Sequence, residues 1–335
     1  MKQKPHSPMN ALKTLHIPLP QLLLSVVLLL VTGLLMSCKE QGENGSGQTA
    51  ELVDTEPAFK MIEIPTLLVD AESRAAYLVS HYWDHFDFSD TTYILLPEIT
   101  EQAFANYLSI LPHAEPLIAT TSIKQMLQRA ATEDSSGQFY AYLLDRYKAY
   151  LADPNSPLRN EEFYIPVLEF ILNDSLSDET TRANATYDLT LLLKNRVGTK
   201  ATNFTYATAK QHGKLWNIRS AYTLIYFYNP DCHACEEATA YIHHSPVMTH
   251  LLTNNQLTIL AVYPDEDLSV WKEHQENLPA EWMNAYDPLQ QLNTKQLYDL
   301  KAMPTLYLLD SQKQVLLKDA TPEQVELYFN QQIIQ

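Results

Sequence analysis

Apolar residues recur at three- and four-residue spacing from about Ala71 to Asn195, which is the period of an amphipathic helix. Clusters of Pro, Asn, Asp and Ser, such as FSDTT and ADPNSP, separate the periodic segments. The pattern predicts an all-helical region of about six helices, with no strand pattern in it. The helical segments are AAYLVSHYWDHF, ITEQAFANYLSIL, SIKQMLQRAA, QFYAYLLDRYKAYL, EEFYIPVLEFIL and ATYDLTLLLK.

The pattern changes at NRVGTKAT, a segment with a glycine on which the chain can turn. Beyond it, strand-like apolar runs alternate with helical segments, which predicts a mostly parallel sheet covered on both faces, with an antiparallel pair at the end. The last helix is expected to have Thr321 as its N-cap, before Pro322 at its first position. The predicted strands are NFTYAT, AYTLIYFYN, QLTILAVYP, MPTLYLLD and KQVLLKD, and the predicted helices are CEEATAYIHHSPVMTHLL, DLSVWKEHQ and TPEQVELYFNQQI.

The first 60 residues have a different pattern. Three lysines precede the apolar run QLLLSVVLLLVTGLLM, which is the layout of a signal peptide, and the run ends in LLMSC. That ending resembles the lipobox of bacterial lipoproteins, and the resemblance implies that Cys38 becomes the lipid-bearing N-terminus. A plain transmembrane anchor is the alternative. The polar segment KEQGENGSGQTAELVDTE that follows is typical of a flexible tether.

The length of the chain limits the number of domains, and its charge limits the kinds of partner. The chain has 335 residues, enough for two domains, and a formal net charge of -17. Residues 1–38 contain three lysines and no acid, so the remainder carries about -20, which argues against a nucleic-acid partner. We predict a lipoprotein signal peptide over 1–37, a tether over 38–60, a helical domain over 61–197 and an α/β domain over 198–335.

The three cysteines point to chemistry rather than to a structural framework. With Cys38 assigned to the lipid, Cys232 and Cys235 have no other partner, and a disulfide between them would close almost no loop. They lie where a predicted strand ends and a helix begins, so the helix N-terminus favours a thiolate at Cys232. Cys232 is therefore the expected nucleophile and Cys235 the resolving thiol of thiol–disulfide exchange.

The order of strand, CxxC, helix, strand and helix, followed by a proline that opens a hairpin and a final helix, resembles thioredoxin over residues 202–335. Within it, NFTYATAKQHGKLWNIRSAYTLIYFYNPDCHAC is similar to the extracytoplasmic thiol oxidoreductases of the TlpA/ResA type. The resemblance implies that Pro304 is a cis-proline beside the cysteines and that the backbone of Met303 docks the substrate. It implies no cofactor beyond a redox-active disulfide between Cys232 and Cys235.

Two positions depart from these families. Tyr226 stands where thioredoxin has a buried acid, and Ala238 stands where the TlpA/ResA-type proteins have a glutamate. Glu236 and Glu237 follow the pair but are rotated around the helix from that position, so we expect them on a solvated face.

Two residues next to the cysteines are expected to tune their redox properties. Asp231 takes the place of the usual tryptophan and can either cap the helix or raise the thiol pKa by like-charge repulsion. His233, between the cysteines, acts in the opposite direction when it is protonated.

Two other kinds of function stay open. A CxxC pair with a distant histidine can bind copper or zinc, although no second CxxC or HxxxH-type spacing accompanies it, and we predict no metal. The fold could also be a non-catalytic interaction module with incidental cysteines. The histidines available are His212, His233, His243, His244, His250 and His274.

The helical region shows no catalytic constellation. Its segments YWDHFDFSD, SPLRNEEFYIPVLEFIL and KNRVGTKATNFTY resemble a domain of unknown function that precedes a thioredoxin-like domain in Bacteroidota lipoproteins. Arg159, Asn160 and Glu161 are expected either to brace the junction of the two halves by charge-assisted hydrogen bonds or to form a solvated helix start.

Together these observations predict a membrane-anchored lipoprotein, in the outer membrane and facing the periplasm or the cell surface. Its expected partners are thiol- or disulfide-containing envelope proteins, a membrane reached through the lipid on Cys38, and a membrane electron donor.

Overall fold

The computed structural model describes residues 58–333. The predicted signal peptide, the predicted lipidation site Cys38 and nearly all of the predicted tether lie outside these residues. No helix in the described part of the chain is long and apolar enough to cross a membrane.

A helical region comes first, as predicted. Its helices pack around one core whose largest members are aromatic, including Tyr82, Tyr107 and Tyr147, each almost fully buried. Burying side chains of this size stabilises the fold by about 1.5–3 kcal/mol each. The described residues of this region form six α-helices: α1 (Ala71–His81), α2 (Thr100–Ile110), α3 (Pro116–Glu133), α4 (Gln138–Leu151), α5 (Glu161–Asn173) and α6 (Glu179–Leu192).

An α/β region follows and is built on one seven-stranded sheet. The strands are β1 (Thr205–Thr208), β2 (His212–Lys214), β3 (Tyr222–Phe227), β4 (Leu257–Tyr263), β5 (Met283–Tyr286), β6 (Thr305–Leu309) and β7 (Val315–Lys318). Their order across the sheet is β2-β1-β5-β4-β3-β6-β7. The helices are α7 (His233–His244), α8 (Pro246–Thr253), α9 (Leu268–Glu273), α10 (Gln291–Thr294) and α11 (Pro322–Ile333).

The prediction of a mostly parallel sheet is wrong. Only β3 with β4 and β4 with β5 run parallel, whereas β1–β2, β1–β5, β3–β6 and β6–β7 are antiparallel. The antiparallel pairs β1–β2 and β1–β5 involve β2 and β5, two short strands that the sequence pattern did not reveal, and β6 adds a third by pairing with β3. The predicted antiparallel pair at the end is confirmed, because β6 and β7 form it at one edge of the sheet.

The long helix predicted from 235 to 252 is two helices. Ser245, at the break, has an extended backbone, as residues before a proline prefer, and Pro246 cannot donate the hydrogen bond that continuing α7 would need. The Ser245 hydroxyl instead accepts a hydrogen bond from the Met248 N–H and caps α8. At the start of α11 the predicted cap is confirmed, because the Gln324 N–H donates to the Thr321 hydroxyl over 3.3 Å.

The central strand β3 separates two apolar cores. Leu224 and Tyr226 pack on the face covered by α7, α8 and α11, while Ile225 and Phe227 pack with Phe204 on the other face. This alternation is the two-residue period of a strand that is buried on both sides. It fixes the position of the strand end that leads to the cysteine pair.

Charged side chains join the helical and α/β regions, both of which lie within the unit Pro57–Gln335. Arg159 pairs with Asp319, and the Glu161 carboxylate lies 2.7 Å from the Lys318 amine. The same amine donates to the carbonyls of Leu192, over 2.8 Å, and Lys194, over 3.1 Å. Arg159 and Glu161 therefore brace the junction, one of the two roles considered above.

The other two features expected at the junction also have definite roles. The Asn160 side chain caps α5 by accepting from the Phe163 N–H over 3.2 Å, so it forms a helix start rather than a bridge. Gly198 has φ +80°, the left-handed conformation that a glycine adopts without strain, and the chain turns there.

Candidate active site

Cys232 lies at the point where the loop after β3 becomes α7. It is the N-cap of α7, and its half-buried sulfur accepts a hydrogen bond from the Cys235 N–H over 3.3 Å. The free N–H groups and the dipole of a helix N-terminus stabilise negative charge on an atom in this position. The site therefore suits a sulfur that reacts as a thiolate.

Cys235 lies one turn further along α7 and is buried, with 3% of its surface exposed. Burial raises the pKa of its thiol to about 12, because a thiolate there would lose its hydration. Both cysteines are free thiols in this structure. The pair thus consists of one accessible sulfur and one buried sulfur that keeps its proton at neutral pH.

The segment before β6 forms the other side of the site. The Met303–Pro304 peptide bond is cis. The Met303 carbonyl oxygen lies 3.5 Å from the Cys232 sulfur and can accept its thiol hydrogen. The structure therefore brings Cys232, Met303 and Pro304 together.

Tyr226 occupies the buried position behind the pair. Its hydroxyl donates to the Cys235 carbonyl over 2.7 Å and lies 3.0 Å from the Thr239 hydroxyl. Burial raises the pKa of the phenol, so Tyr226 is a neutral hydrogen-bond donor where thioredoxin has an acid. The sequence identified Tyr226 only as a departure from the families. The tie to Cys235 depends on packing between β3 and α7, which the residue pattern does not encode.

The carboxylates that follow the pair are exposed to solvent. Glu236 and Glu237 have well-exposed side chains, as expected of a solvated face, and lie 3.6 and 3.3 Å from the ring of His233. Ala238 is buried and carries no polar group.

The two residues predicted to tune the pair are also exposed. Asp231 does not cap the helix, because the Cys232 sulfur takes that position; its carboxylate lies 4.0 Å from His274. The side chain of His233 is 82% exposed and is directed toward Glu236 and Glu237.

The remaining histidines are dispersed. His243 pairs with Glu281 at 3.2 Å, and the His274 ring lies 2.9 Å from the Val270 carbonyl. In the part of the chain that the structure describes, no group of three or more His, Cys, Asp or Glu side chains could hold a metal ion.

Two cavities flank the N-terminal half of α7. The larger, about 760 Å³, lies between the regions; we call it the junction groove. Its walls come from the Pro154–Glu162 segment, from Ala302–Pro304, from Lys318–Gln324, and from the face of α7 that carries Ala234, Glu237, Ala238 and Tyr241. The smaller cavity, about 570 Å³, lies on the other face of α7 and reaches Cys235, Thr239 and His274.

Comparison with known proteins agrees with this arrangement. A family described as a domain of unknown function (DUF5106) matches residues 37–195. No curated protein matches the chain. The crystal structure of a thioredoxin-like protein from Bacteroides caccae is 44% identical, covers 84% of this chain and 100% of its own, and superposes with a TM-score of 0.79.

Two further solved structures each match less than half of the chain. The C-terminal domain of an uncharacterized protein from Bacteroides fragilis is 47% identical and covers 41% of this chain and 98% of its own, with a TM-score of 0.40. The thioredoxin domain of a thiol-disulfide oxidoreductase from Bacteroides vulgatus is 19% identical and covers 42% of this chain and 97% of its own, with a TM-score of 0.36.

The match to the Bacteroides caccae protein extends over both regions of this chain, so it covers the helical region as well as the sheet and the cysteine site. The chain therefore belongs to the thioredoxin-like proteins, with a DUF5106 region in front of its thioredoxin fold.

Proposed function

We propose that this protein exchanges thiols and disulfides with other proteins through Cys232 and Cys235. One observation carries the proposal. The accessible sulfur of Cys232 caps a helix, 3.3 Å from the Cys235 N–H and 3.5 Å from the Met303 carbonyl, with a buried second thiol one turn away. This arrangement combines a stabilised nucleophile, a resolving thiol and a backbone edge for the substrate.

The reaction needs no cofactor. The Cys232 thiolate attacks a substrate disulfide, forming a mixed disulfide and releasing one substrate sulfur as a thiolate, which takes up a proton. Cys235 then attacks the Cys232 sulfur, forms the Cys232–Cys235 disulfide and passes its proton to the departing second substrate thiol. Two electrons move from the cysteine pair to the substrate disulfide, and the reverse sequence oxidises a substrate dithiol.

Tyr226 has a positioning role in this scheme. Its hydrogen bond to the Cys235 carbonyl holds the first turn of α7 against β3 and so keeps the Cys235 sulfur close to Cys232. The Tyr226 phenol keeps its proton and is therefore not a base for the Cys235 thiol.

Trapping of the mixed disulfide tests the proposal. A Cys235→Ser variant, reduced and mixed with a disulfide-linked peptide, should accumulate one peptide adduct on Cys232, detectable by intact mass. Cys232→Ser should accumulate none, and the reduced wild-type protein should release peptide thiols without a lasting adduct. If Cys235→Ser forms no adduct although its Cys232 remains reduced, a non-catalytic interaction module becomes the better description.

The sequence before residue 58 suggests where this chemistry takes place. We propose that a lipid on Cys38 anchors the protein to the outer membrane, where it meets envelope proteins that contain thiols or disulfides and a membrane electron donor. Metabolic labelling with a fatty acid tests the anchor. Wild-type protein should become labelled, Cys38→Ser should not, and label retained in Cys38→Ser would refute lipidation at this residue.

A further inference from the structure

The junction groove places a wall made by the helical region beside the cysteine site. The groove extends from Met303 and Pro304 to the Pro154–Pro157 loop and is also lined by Ala234 and Glu237 of α7. A polypeptide whose disulfide lies over Cys232 and whose backbone runs along Met303 would enter this groove on one side.

The charges along the groove are not balanced. Arg159 and Lys318 are neutralised by Glu161 and Asp319, and these four side chains are largely buried. Glu162, also on the wall, pairs with Arg196. These groups form closed pairs and leave little charge for a ligand.

Two acids remain on the lining of the groove. Glu237 extends from α7 near the cysteines, and its neighbour His233 carries a charge only when protonated. Glu323 is an exposed residue in the first turn of α11 and makes no ion pair among the described residues. Both carboxylates are available to a cationic ligand, and the chain's formal charge of -17 attracts such ligands from a distance.

We propose that the junction groove binds the substrate polypeptide and selects segments with lysine or arginine beside the disulfide, which Glu237 and Glu323 contact. This inference rests on the proposed thiol–disulfide exchange. The helical region then contributes to recognition, because its Pro154–Glu162 segment closes the groove opposite the thioredoxin fold.

Single-turnover reduction of two matched peptides tests the selection. The peptides carry the same disulfide with either lysine or glutamate on each side, and their intrinsic reactivity is normalised by their rates with glutathione. Reduced wild-type protein should react with the lysine peptide roughly tenfold faster than with the glutamate peptide. The lysine peptide makes two exposed opposite-charge contacts, whereas the glutamate peptide makes two like-charge contacts at the same places. The ratio should fall toward one in 1 M salt, where the Debye length is about 3 Å.

Glu323→Lys should lower this rate ratio roughly tenfold, to about one, because each peptide then meets one attractive and one repulsive contact. Glu179→Lys is the matched control, since Glu179 is also an exposed acid in the first turn of an α-helix but lies outside the groove. The control should leave the ratio unchanged. Equal melting temperatures and equal iodoacetamide rates at Cys232 in the two variants would show that neither the fold nor the thiol has changed.

The outcomes separate the two proposals. Equal normalised rates for both peptides, or equal effects of Glu323→Lys and Glu179→Lys, would overturn the selection but leave the exchange reaction intact. If neither peptide is reduced although Cys232 is alkylated, the proposed function itself fails, and the selection with it.

Crosslinking from a trapped complex tests the position of the substrate. A lysine peptide with a photoreactive group beside its cysteine, held on Cys232 of the Cys235→Ser variant, should crosslink to the Pro154–Glu162 segment. Crosslinks confined to the smaller cavity, around His274 and Leu278, would place the substrate on the other face of α7 and refute the assignment.

Discussion

Replacing Arg159 with methionine should weaken the junction between the helical region and the thioredoxin fold. The guanidinium pairs with Asp319, and the two side chains are only 17% and 16% exposed. Burial raises the pKa of Asp319, whereas Arg159 lowers it, so the arginine offsets part of the cost of an ionised carboxylate there. Methionine keeps most of the aliphatic packing and removes the charge.

The magnitude follows from the burial of the pair. Removing one partner of a fully buried ion pair costs about 3–5 kcal/mol, because the other charge stays buried alone. Since about one sixth of each side chain is exposed, water recovers part of this, and we expect a loss of about 2–3 kcal/mol. Asp319→Asn in the same chain should restore at least ~1 kcal/mol, because it removes the stranded charge and asparagine tolerates the φ of +51° at this position.

Urea denaturation followed by circular dichroism and by tryptophan fluorescence measures these losses. Arg196→Met is the matched control, because Arg196 and its partner Glu162 are 36% and 54% exposed, and this change should cost less than about 1 kcal/mol. The reasoning is refuted if Arg159→Met costs no more than Arg196→Met, or if the coupling energy of Arg159 and Asp319 is below about 0.3 kcal/mol.

Three further predictions concern the cysteine site. Iodoacetamide at pH 8 should modify Cys232 and spare Cys235, whose pKa of about 12 leaves little thiolate. The urea-unfolded chain should react at both cysteines. Equal rates of alkylation at the two cysteines of the folded protein would contradict this. The difference in free energy of unfolding between the reduced protein and Cys235→Ala should be largest below about pH 9, the usual pKa of the thiol. Between pH 9 and pH 12 it should fall by about 1.4 kcal/mol per pH unit, because the Cys235 thiol ionises there only in the unfolded chain. A difference that does not change with pH would be inconsistent with this reasoning. Tyr226→Phe should keep the stacking on Tyr228 but lose the hydrogen bond to the Cys235 carbonyl, which should cost about 1–2 kcal/mol in denaturant; an unchanged midpoint would show that this hydrogen bond does not stabilise the fold.

Local sequence patterns predicted most of the secondary structure. The six helices of the first region appear where the helical period indicated, and the cysteine pair lies at the start of α7, after the end of β3, as expected. These features depend on the spacing of apolar residues and on residues adjacent in sequence. The same local argument failed at Ser245–Pro246, where the apolar period continues through a proline that ends one helix and begins another.

Features that depend on distant residues were not predictable in this way. β5 has four residues and one buried side chain, too little for a strand pattern, and is defined by pairing with β1 and β4. The contact of Tyr226 with the Cys235 carbonyl joins opposite sides of a core. The sequence suggested Arg159 and Glu161 as a brace but gave no indication of their partners, Asp319 and Lys318, about 160 residues away.

The contacts of Lys318 also affect the order in which the parts of the molecule can fold. Its amine satisfies the carbonyl of Leu192 at the end of α6, although 126 residues separate them. If the chain is synthesised at about 5–20 residues per second, the end of α6 is complete roughly 6–25 s before Lys318 is added. The helical region can therefore form early, but the lysine contact at the end of α6 is made only when the last strand of the sheet is in place.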